Sequence, residues 1–362
     1  MATNVIAIDG PAASGKSSVA KRLAAKLNMV FVSTGALYRA IAWKAINSKL
    51  DTATLGGNKE KLSSLLSSTV IAYEKPEGSD EFQVKIDGIF PMEKLHTMEV
   101  AAGASNVAKI PEVRKFLLDF QRDFAAKGNW IVMEGRDIGT EIFPEAKYKF
   151  FLTAAPEARA KRRLLQDGGA VTEEEIAKVA EQIAARDEQD RTRPIAPLKQ
   201  AEDAFFLDNS DLDLEETLSV LLFHIAPEDG GKSPTVLRYR IPYADTDNMG
   251  VVYYANYYKY FEMFRTEFMI EAGYPYAKME EKGVALPVIE SGCSYKSSAK
   301  FEDVIEVTGR IAECKGVRIR IECAIHCRGK LLATGFTVHA CLDMKTRKLV
   351  KVPAILSSLM KE

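Results

Sequence analysis

The run Gly10-Pro11-Ala12-Ala13-Ser14-Gly15-Lys16-Ser17-Ser18 has the spacing G-x-x-x-x-G-K-[ST] of a phosphate-binding loop. Glycines let the backbone fold back so that successive N–H groups face phosphate oxygens, and a helix start adds positive potential. In this spacing Lys16 reaches the outer phosphates of a nucleotide and Ser17 holds Mg²⁺. A second dense polar segment is Tyr243-Ala-Asp245-Thr-Asp247-Asn-Met-Gly250-Val-Val-Tyr253-Tyr254-Ala-Asn256-Tyr257. A loop that delivers a carboxylate beside a helix N-terminus can do acyl chemistry. The helix end polarises a carbonyl, and the carboxylate attacks it or activates water. Spacing alone leaves open whether Asp245 and Asp247 do this or only cap turns.

The elements around each segment suit these chemistries. Val5–Ile8 is a continuous apolar run, as expected of a strand buried on both faces, and Val19, Leu23 and Leu27 mark the helix after the loop. Further strands are expected at Met29–Val32, Trp130–Met133, Tyr148–Leu152 and Phe205–Leu207, with helices between them. This alternation implies an α/β domain, a parallel sheet with helices on both faces. The second half reads as α+β: a strand over Leu237–Ile241, a helix over Asn256–Glu271, then strands over Ser294–Lys300, Val304–Cys314, Arg318–Cys327 and Leu331–Asp343. Tyr257, Phe261, Phe264 and Phe268 share one helix face, and Asn256 is placed to cap it.

Ala226–Pro234 is rich in Pro, Gly and charge and follows a helix-like run over Leu214–His224, so it reads as a linker. Domains are expected at 1–225 and 235–362. Composition agrees: ten of the 13 Tyr lie at or after Tyr239, and all five Cys lie at or after Cys293. Over 362 residues, 49 basic and 50 acidic side chains leave a net charge of −1, which argues against a chain built to coat nucleic acid or anionic membrane. No apolar run approaches the ~20 residues of a membrane span, and no secretory signal is visible. Cys323 and Cys327 match no zinc pattern, so the thiols are expected free in a reducing cytoplasm.

Further motifs are Thr34-Gly35-Ala-Leu-Tyr38-Arg39, Glu134-Gly135-Arg136-Asp137-Ile-Gly139-Thr140 and Arg186-Asp187-Glu-Gln-Asp190-Arg191-Thr-Arg193-Pro194. With the phosphate loop they make residues 1–225 resemble bacterial cytidylate kinase along their whole length. The resemblance implies a P-loop nucleoside monophosphate kinase with an inserted nucleotide-binding subdomain, roughly Ser63 to Ala102, including a strand over Phe82–Ile86. It implies ATP and Mg²⁺ as cofactors and CMP or dCMP as acceptor. Thr34 and Arg39 would meet the acceptor phosphate, with Tyr38 nearby. Ser105, Arg114 and Asp137 would read the cytosine edge, and Arg186 and Asp190 would hold the sugar. Arg136, Arg162 and Arg191 would cover the moving phosphoryl group, while Arg159 and Arg163 lie in the lid helix. Glu134, ending a buried strand, is placed to bind Mg²⁺ through water. A phosphoryl group in flight needs positioning and cations rather than a nucleophilic side chain. Another acceptor, such as UMP or shikimate, is the competing reading.

Residues 235–362 resemble hotdog-fold acyl-CoA thioesterases of the 4-hydroxybenzoyl-CoA type, through Y-x-D-T-D-x-x-G-V-V-Y-x-A-N-Y and the following F-x-x-x-R-T-E-F. This implies Asp247 as nucleophile or general base, backbone N–H groups near Val252–Tyr254 as carbonyl donors, an acyl-CoA substrate, and a homo-oligomer with sites between subunits. Tyr254 stands where relatives often carry His. That departure supports the alternative of a non-catalytic binding or oligomerisation module. His326 and His339 read as packed or surface histidines rather than partners of Asp247.

Overall fold

The computed structural model describes residues 3–79, 81–128, 130–166, 168, 171–226, 231 and 234–360. The chain divides into two compact units, Met1–Asp211 and Leu212–Glu362. Of the expected linker, residues 227–230, 232 and 233 lie outside the described residues.

The first unit runs β1 (Thr3–Asp9), α1 (Lys16–Lys26), β2 (Val30–Ser33), α2 (Thr34–Asn47), α3 (Lys59–Ser67), β3 (Ile71–Glu74), β4 (Gln83–Ile86), α4 (Met98–Val107), α5 (Pro111–Ala126), β5 (Ile131–Gly135), β6 (Ala146–Thr153), α6 (Pro156–Gln166), α7 (Glu173–Thr192) and β7 (Phe205–Asp208). Five parallel strands lie in the order β2-β5-β1-β6-β7, with Ile6 of β1 opposite Val132 and Tyr148. Val5–Ile8 and Ile131–Met133 are fully buried, which is why both read as unbroken apolar runs. Because β1 is central, its carboxyl end delivers the glycine loop to the rim of the sheet. The expected strand at 82–86 is β4. It pairs antiparallel with β3, whose Tyr73 packs against Phe124 of α5, ring centroids 5.7 Å apart.

The second unit runs α8 (Leu214–His224), β8 (Leu237–Arg240), α9 (Asn256–Glu271), α10 (Tyr276–Glu281), β9 (Val284–Ala285), β10 (Val288–Tyr295), β11 (Val304–Lys315), β12 (Arg318–Cys327), β13 (Lys330–Ala340), β14 (Leu342–Asp343) and α11 (Ala354–Ser358). Its antiparallel sheet, β10-β13-β12-β11-β8, curves around α9 in the hotdog manner. Glycines permit the close fit: a Cβ on Gly335 would stand 2.3 Å from the Phe261 ring, and one on Gly309 2.6 Å from Phe264. Helix α8 is tied here by Glu216, fully buried, which accepts from Lys282 Nζ at 2.8 Å and pairs with Lys278 at 3.0 Å.

Two strand expectations shift. The strand placed at Ser294–Lys300 is β10, Val288–Tyr295; it is an edge strand paired only with β13 and exposed on both faces, so its sequence carries no inward–outward alternation. After it the chain leaves the sheet, and the N–H groups of Lys296 and Ser297 both go to the Leu332 carbonyl, at 2.7 and 3.0 Å. The run at 331–343 breaks at Cys341 into β13 and β14, the latter pairing with β9. No described helix is long and apolar enough to cross a membrane.

Candidate active sites

The loop after β1 is a cradle open to an anion. A Cβ on Gly10 would lie 2.0 Å from the Leu152 carbonyl oxygen, so no side chain fits there. Gly15 takes φ 83°, turning the chain into α1 with no side-chain cap on the helix. The first-turn N–H groups therefore face outward beside the exposed Ser17 and Ser18. Ser14 Oγ is buried without a hydrogen-bond partner. Lys16 is buried, its ammonium donating to the Pro11 carbonyl at 2.9 Å.

Opposite stands the segment that ends β5. The Glu134 carboxylate accepts from Ser33 Oγ at 2.5 Å, and Thr34 Oγ1 donates to the Glu134 carbonyl at 3.1 Å. Tyr73 ties the inserted hairpin to the same place, its hydroxyl accepting from Ser33 N at 3.2 Å and donating to Ser33 O at 3.1 Å. Asp137 pairs with Arg114, whose guanidinium lies 5.9 Å from the Tyr38 ring, and with Arg193 at 3.4 Å. Arg136 pairs with Asp190 at 2.8 Å. Ser105 is not joined to this group; its hydroxyl donates to Ala101 on its own helix, at 3.4 Å.

Helices α6 and α7 close the other side. Arg186 and Asp190 share a face of α7 at i,i+4, where Asp190 is half-buried and pairs with Arg136; Arg186 and, about 100° further round from Asp190, Arg191 are exposed. Arg162 donates to Asn209 Oδ1 at 2.9 Å, and Asn209 Nδ2 donates to the Ser14 carbonyl at 3.1 Å. Arg159, expected on a lid, is instead buried and donates to the Ala12 carbonyl at 3.0 Å. Its ion-pair partner Asp187 accepts from Ala12 N, also at 3.0 Å. Both ends of one loop residue are thus held from α6 and α7. Sequence reading missed Asp187, Asn209, Tyr73 and Arg193; the nearest signal was that Asp187 and Arg193 lie inside a motif already singled out.

The pocket carries surplus positive charge. Lys16, Arg39, Arg136 and Arg186 face Glu134 and Asp190. Burial, reinforced by Arg136, pushes the Lys16 ammonium down to about 7. Burial, then repulsion from Arg136, likewise lowers Arg186. Burial lowers Arg39, whose Nε has no partner. Buried like charges with too few counter-charges are costly until an anion joins them.

In the second unit the two aspartates part company. Asp245 is buried and accepts from Tyr260 Oη at 2.9 Å and Lys259 Nζ at 3.0 Å. Its carbonyl accepts from Asn256 Nδ2 at 2.9 Å. Asn256 therefore anchors the loop and does not cap α9, which starts at Ala255 without a side-chain cap. Asp247 is half-buried, and its carboxylate accepts from Met249 N at 2.8 Å. The N–H groups of Val252 and Tyr253 go to the Ala299 and Asp245 carbonyls, both at 2.9 Å. Among the described interactions none takes up the next two, Tyr254 N and Ala255 N. Tyr254 is exposed, 4.7 Å from the Tyr253 ring. His339 is fully buried, bonded to Leu286 O at 2.9 Å and Thr337 Oγ1 at 2.9 Å, and burial lowers it to about 4. His326 faces Glu306 across β11 and β12. Neither belongs to the Asp247 loop. The five cysteines are free, and no described cluster of three or more His, Cys, Asp or Glu is set to hold a metal.

Comparison with known proteins also finds two segments, but puts α8, which belongs to the second unit, within the first match. Residues 6–226 match the family model described as Cytidylate kinase, and residues 241–359 match Thioesterase-like superfamily. The cytidylate kinase of Caldicellulosiruptor saccharolyticus is 42% identical over 217 residues, 60% of this chain and 93% of that protein. That of Clostridioides difficile is 39% identical, covering 62% and 99%. A solved DHNA-CoA thioesterase from Staphylococcus aureus is 30% identical over 32% of this chain and 79% of its own, with a TM-score of 0.31.

Proposed function

We propose, for a chain that belongs to the cytidylate kinase family through residues 6–226, that its first unit moves the γ-phosphoryl group of ATP onto the phosphate of CMP or dCMP. The observation that carries this is the cluster of cations around an uncapped helix start: buried Lys16 with Arg39, Arg136 and Arg186, facing Glu134, Asp190 and the strand-end Asp9. A polyphosphate meeting an acceptor phosphate supplies the missing negative charge. An acceptor oxygen attacks the γ-phosphorus, the bond to the β-phosphate oxygen breaks in line, and ADP leaves. Lys16 and the loop N–H groups hold the donor; Thr34 and Arg39 hold the acceptor phosphate; Arg136, Arg162 and Arg191 cover the phosphoryl group. The Ser17 hydroxyl and the Glu134 carboxylate are the oxygen donors that would hold a Mg²⁺ ion, which would supply charge neutralisation on the phosphates. Arg186 and Asp190 hold the sugar. Ser105, Arg114 and Asp137 read cytosine, the carboxylate accepting from the exocyclic amine, and Arg193 steadies Asp137. Initial rates with CMP, dCMP, UMP and AMP test this: the two cytidine nucleotides turn over at least tenfold faster. Equal rates with UMP contradict it.

For the second unit we propose hydrolysis of an acyl-CoA thioester. Either Asp247 attacks the carbonyl carbon, the C–S bond breaks, CoA leaves as its thiolate, and water then cleaves the acyl-aspartyl anhydride to free the acid and restore the carboxylate; or Asp247 takes a proton from a water that attacks the carbon, the C–S bond breaks, and the proton passes to the leaving sulfur. Tyr254 N and Ala255 N are the free donors for the carbonyl oxygen. The competing reading is a non-catalytic oligomerisation module, favoured by edge strand β10, where Val288 and Ile289 are each 49% exposed. An open apolar edge pairs readily with a second copy, and we propose a homo-oligomer on either reading. A panel of aromatic and aliphatic acyl-CoAs separates the two: assembly without turnover of any thioester leaves only the module. We place the join between the modules within 226–234 and the protein in the cytoplasm, where its substrates and free thiols coexist.

A further inference from the structure

Asp9 closes β1 directly before the phosphate loop and is 5% exposed, yet none of the roles above uses it. Each carboxylate oxygen accepts one backbone N–H: Oδ1 from Ile138 at 2.8 Å and Oδ2 from Gly139 at 2.7 Å. These amides open a single π-helical turn, Ile138–Ile142, immediately after Arg136 and Asp137. Asp137 stands at the cap position of that turn, with φ −145° and ψ 25°, but its side chain does not cap it. Its carboxylate is directed to Arg114 and Arg193 instead. An aspartate at a turn's start ordinarily bonds the amides two or three residues on. Here a carboxylate from another strand, 129 residues away in sequence, does so. The segment is also confined from its other end: a Cβ on Gly135 would stand 2.7 Å from both Thr34 Oγ1 and Ile138 Cδ1.

We infer that Asp9 is a positioning residue for acceptor specificity: it caps the 138–142 turn in place of Asp137 and so leaves the Asp137 carboxylate to read the base. This rests on the proposed base-reading role of Asp137. Asparagine at position 9 would keep one acceptor and turn an NH₂ group on the other amide. One buried N–H would then lack its partner, and Asp137, at the cap position of the same turn, carries a carboxylate suited to take it.

The test is steady-state kinetics of the full chain with Asp9→Asn and Asp137→Asn side by side. Asp9→Asn is expected to raise the KM for CMP about tenfold or more and to lower the preference for CMP over UMP by a similar factor. The KM for ATP is expected to stay within about twofold. A rise in the KM for ATP equal to or larger than that for CMP overturns the inference, because Asp9 would then serve the phosphate loop. An unchanged KM for CMP in Asp9→Asn beside a raised one in Asp137→Asn overturns the inference and leaves the Asp137 reading standing. No change in either variant overturns both. If Asp9→Asn does not fold, Asp9→Glu carries the same comparison, since it keeps the charge but displaces the two oxygens.

Discussion

At Lys16 and at Asn256 the chain does the same thing: a strand ends, a loop turns, and a helix begins with no side chain capping it. Each helix forgoes a cap worth about 1 kcal/mol, leaving outward N–H groups that favour negative charge. What surrounds them differs. Around α1 several cations gather beside buried Lys16, and burial, then repulsion from Arg136, lowers the pKa of Lys16 and of Arg186. Around α9 the charged pair Lys259–Asp245 is closed on itself, the rim is tyrosine, and Asp247 is half-buried. A helix start is generic polarity; the neighbouring side chains decide between a polyphosphate and a neutral carbonyl.

Substitutions at each site sharpen that contrast. Lys16→Met is expected to lower CMP phosphorylation by about 10³–10⁵-fold, the range for removing a cation from a phosphoryl-transfer site. Thioester hydrolysis in the same variant should stay within about twofold. Asp247→Asn should do the reverse, lowering hydrolysis about 10²–10⁴-fold and sparing the kinase. Loss of both activities in either variant breaks the picture of separate sites. Within the first unit, Asp187→Asn should raise the KM for ATP about tenfold through the freed Ala12 amide and leave the KM for CMP near its starting value. That split is opposite to the one expected of Asp9→Asn, and matching splits would contradict one of the two assignments.

The contrast also marks what sequence can carry. The loop motif and the helix at 256–271 were legible because each is local: a fixed spacing in one case, a 3.6-residue apolar stripe in the other. Tyr257, Phe261, Phe264 and Phe268 are all buried as that stripe requires. Asp9, Asp187 and Arg159 were not legible. Each acts by a hydrogen bond to backbone between 129 and 175 residues away, and such a bond leaves no periodic trace. Asn256 misled for a related reason. Its type and place suit a cap, but the Asp245 carbonyl is a closer claim on its amide. Strand β10 slipped because an edge strand exposed on both faces needs no alternation.

The central claim is that the first site is short of negative charge until nucleotide binds. Burial and the neighbouring Arg136 push Lys16 down to about 7 in the free protein, which favours the uncharged amine above neutral pH, whereas a bound polyphosphate favours the ammonium. Binding must then take up a proton, and ATP affinity must fall as pH rises above 7. Calorimetric titration of ATP at pH 8, in buffers of different ionisation enthalpy, measures this directly. Net proton uptake on ATP binding is expected at pH 8, and its loss in Lys16→Met. Binding at pH 8 with no proton uptake would mean that Lys16 is charged before the nucleotide arrives, and would contradict the claim.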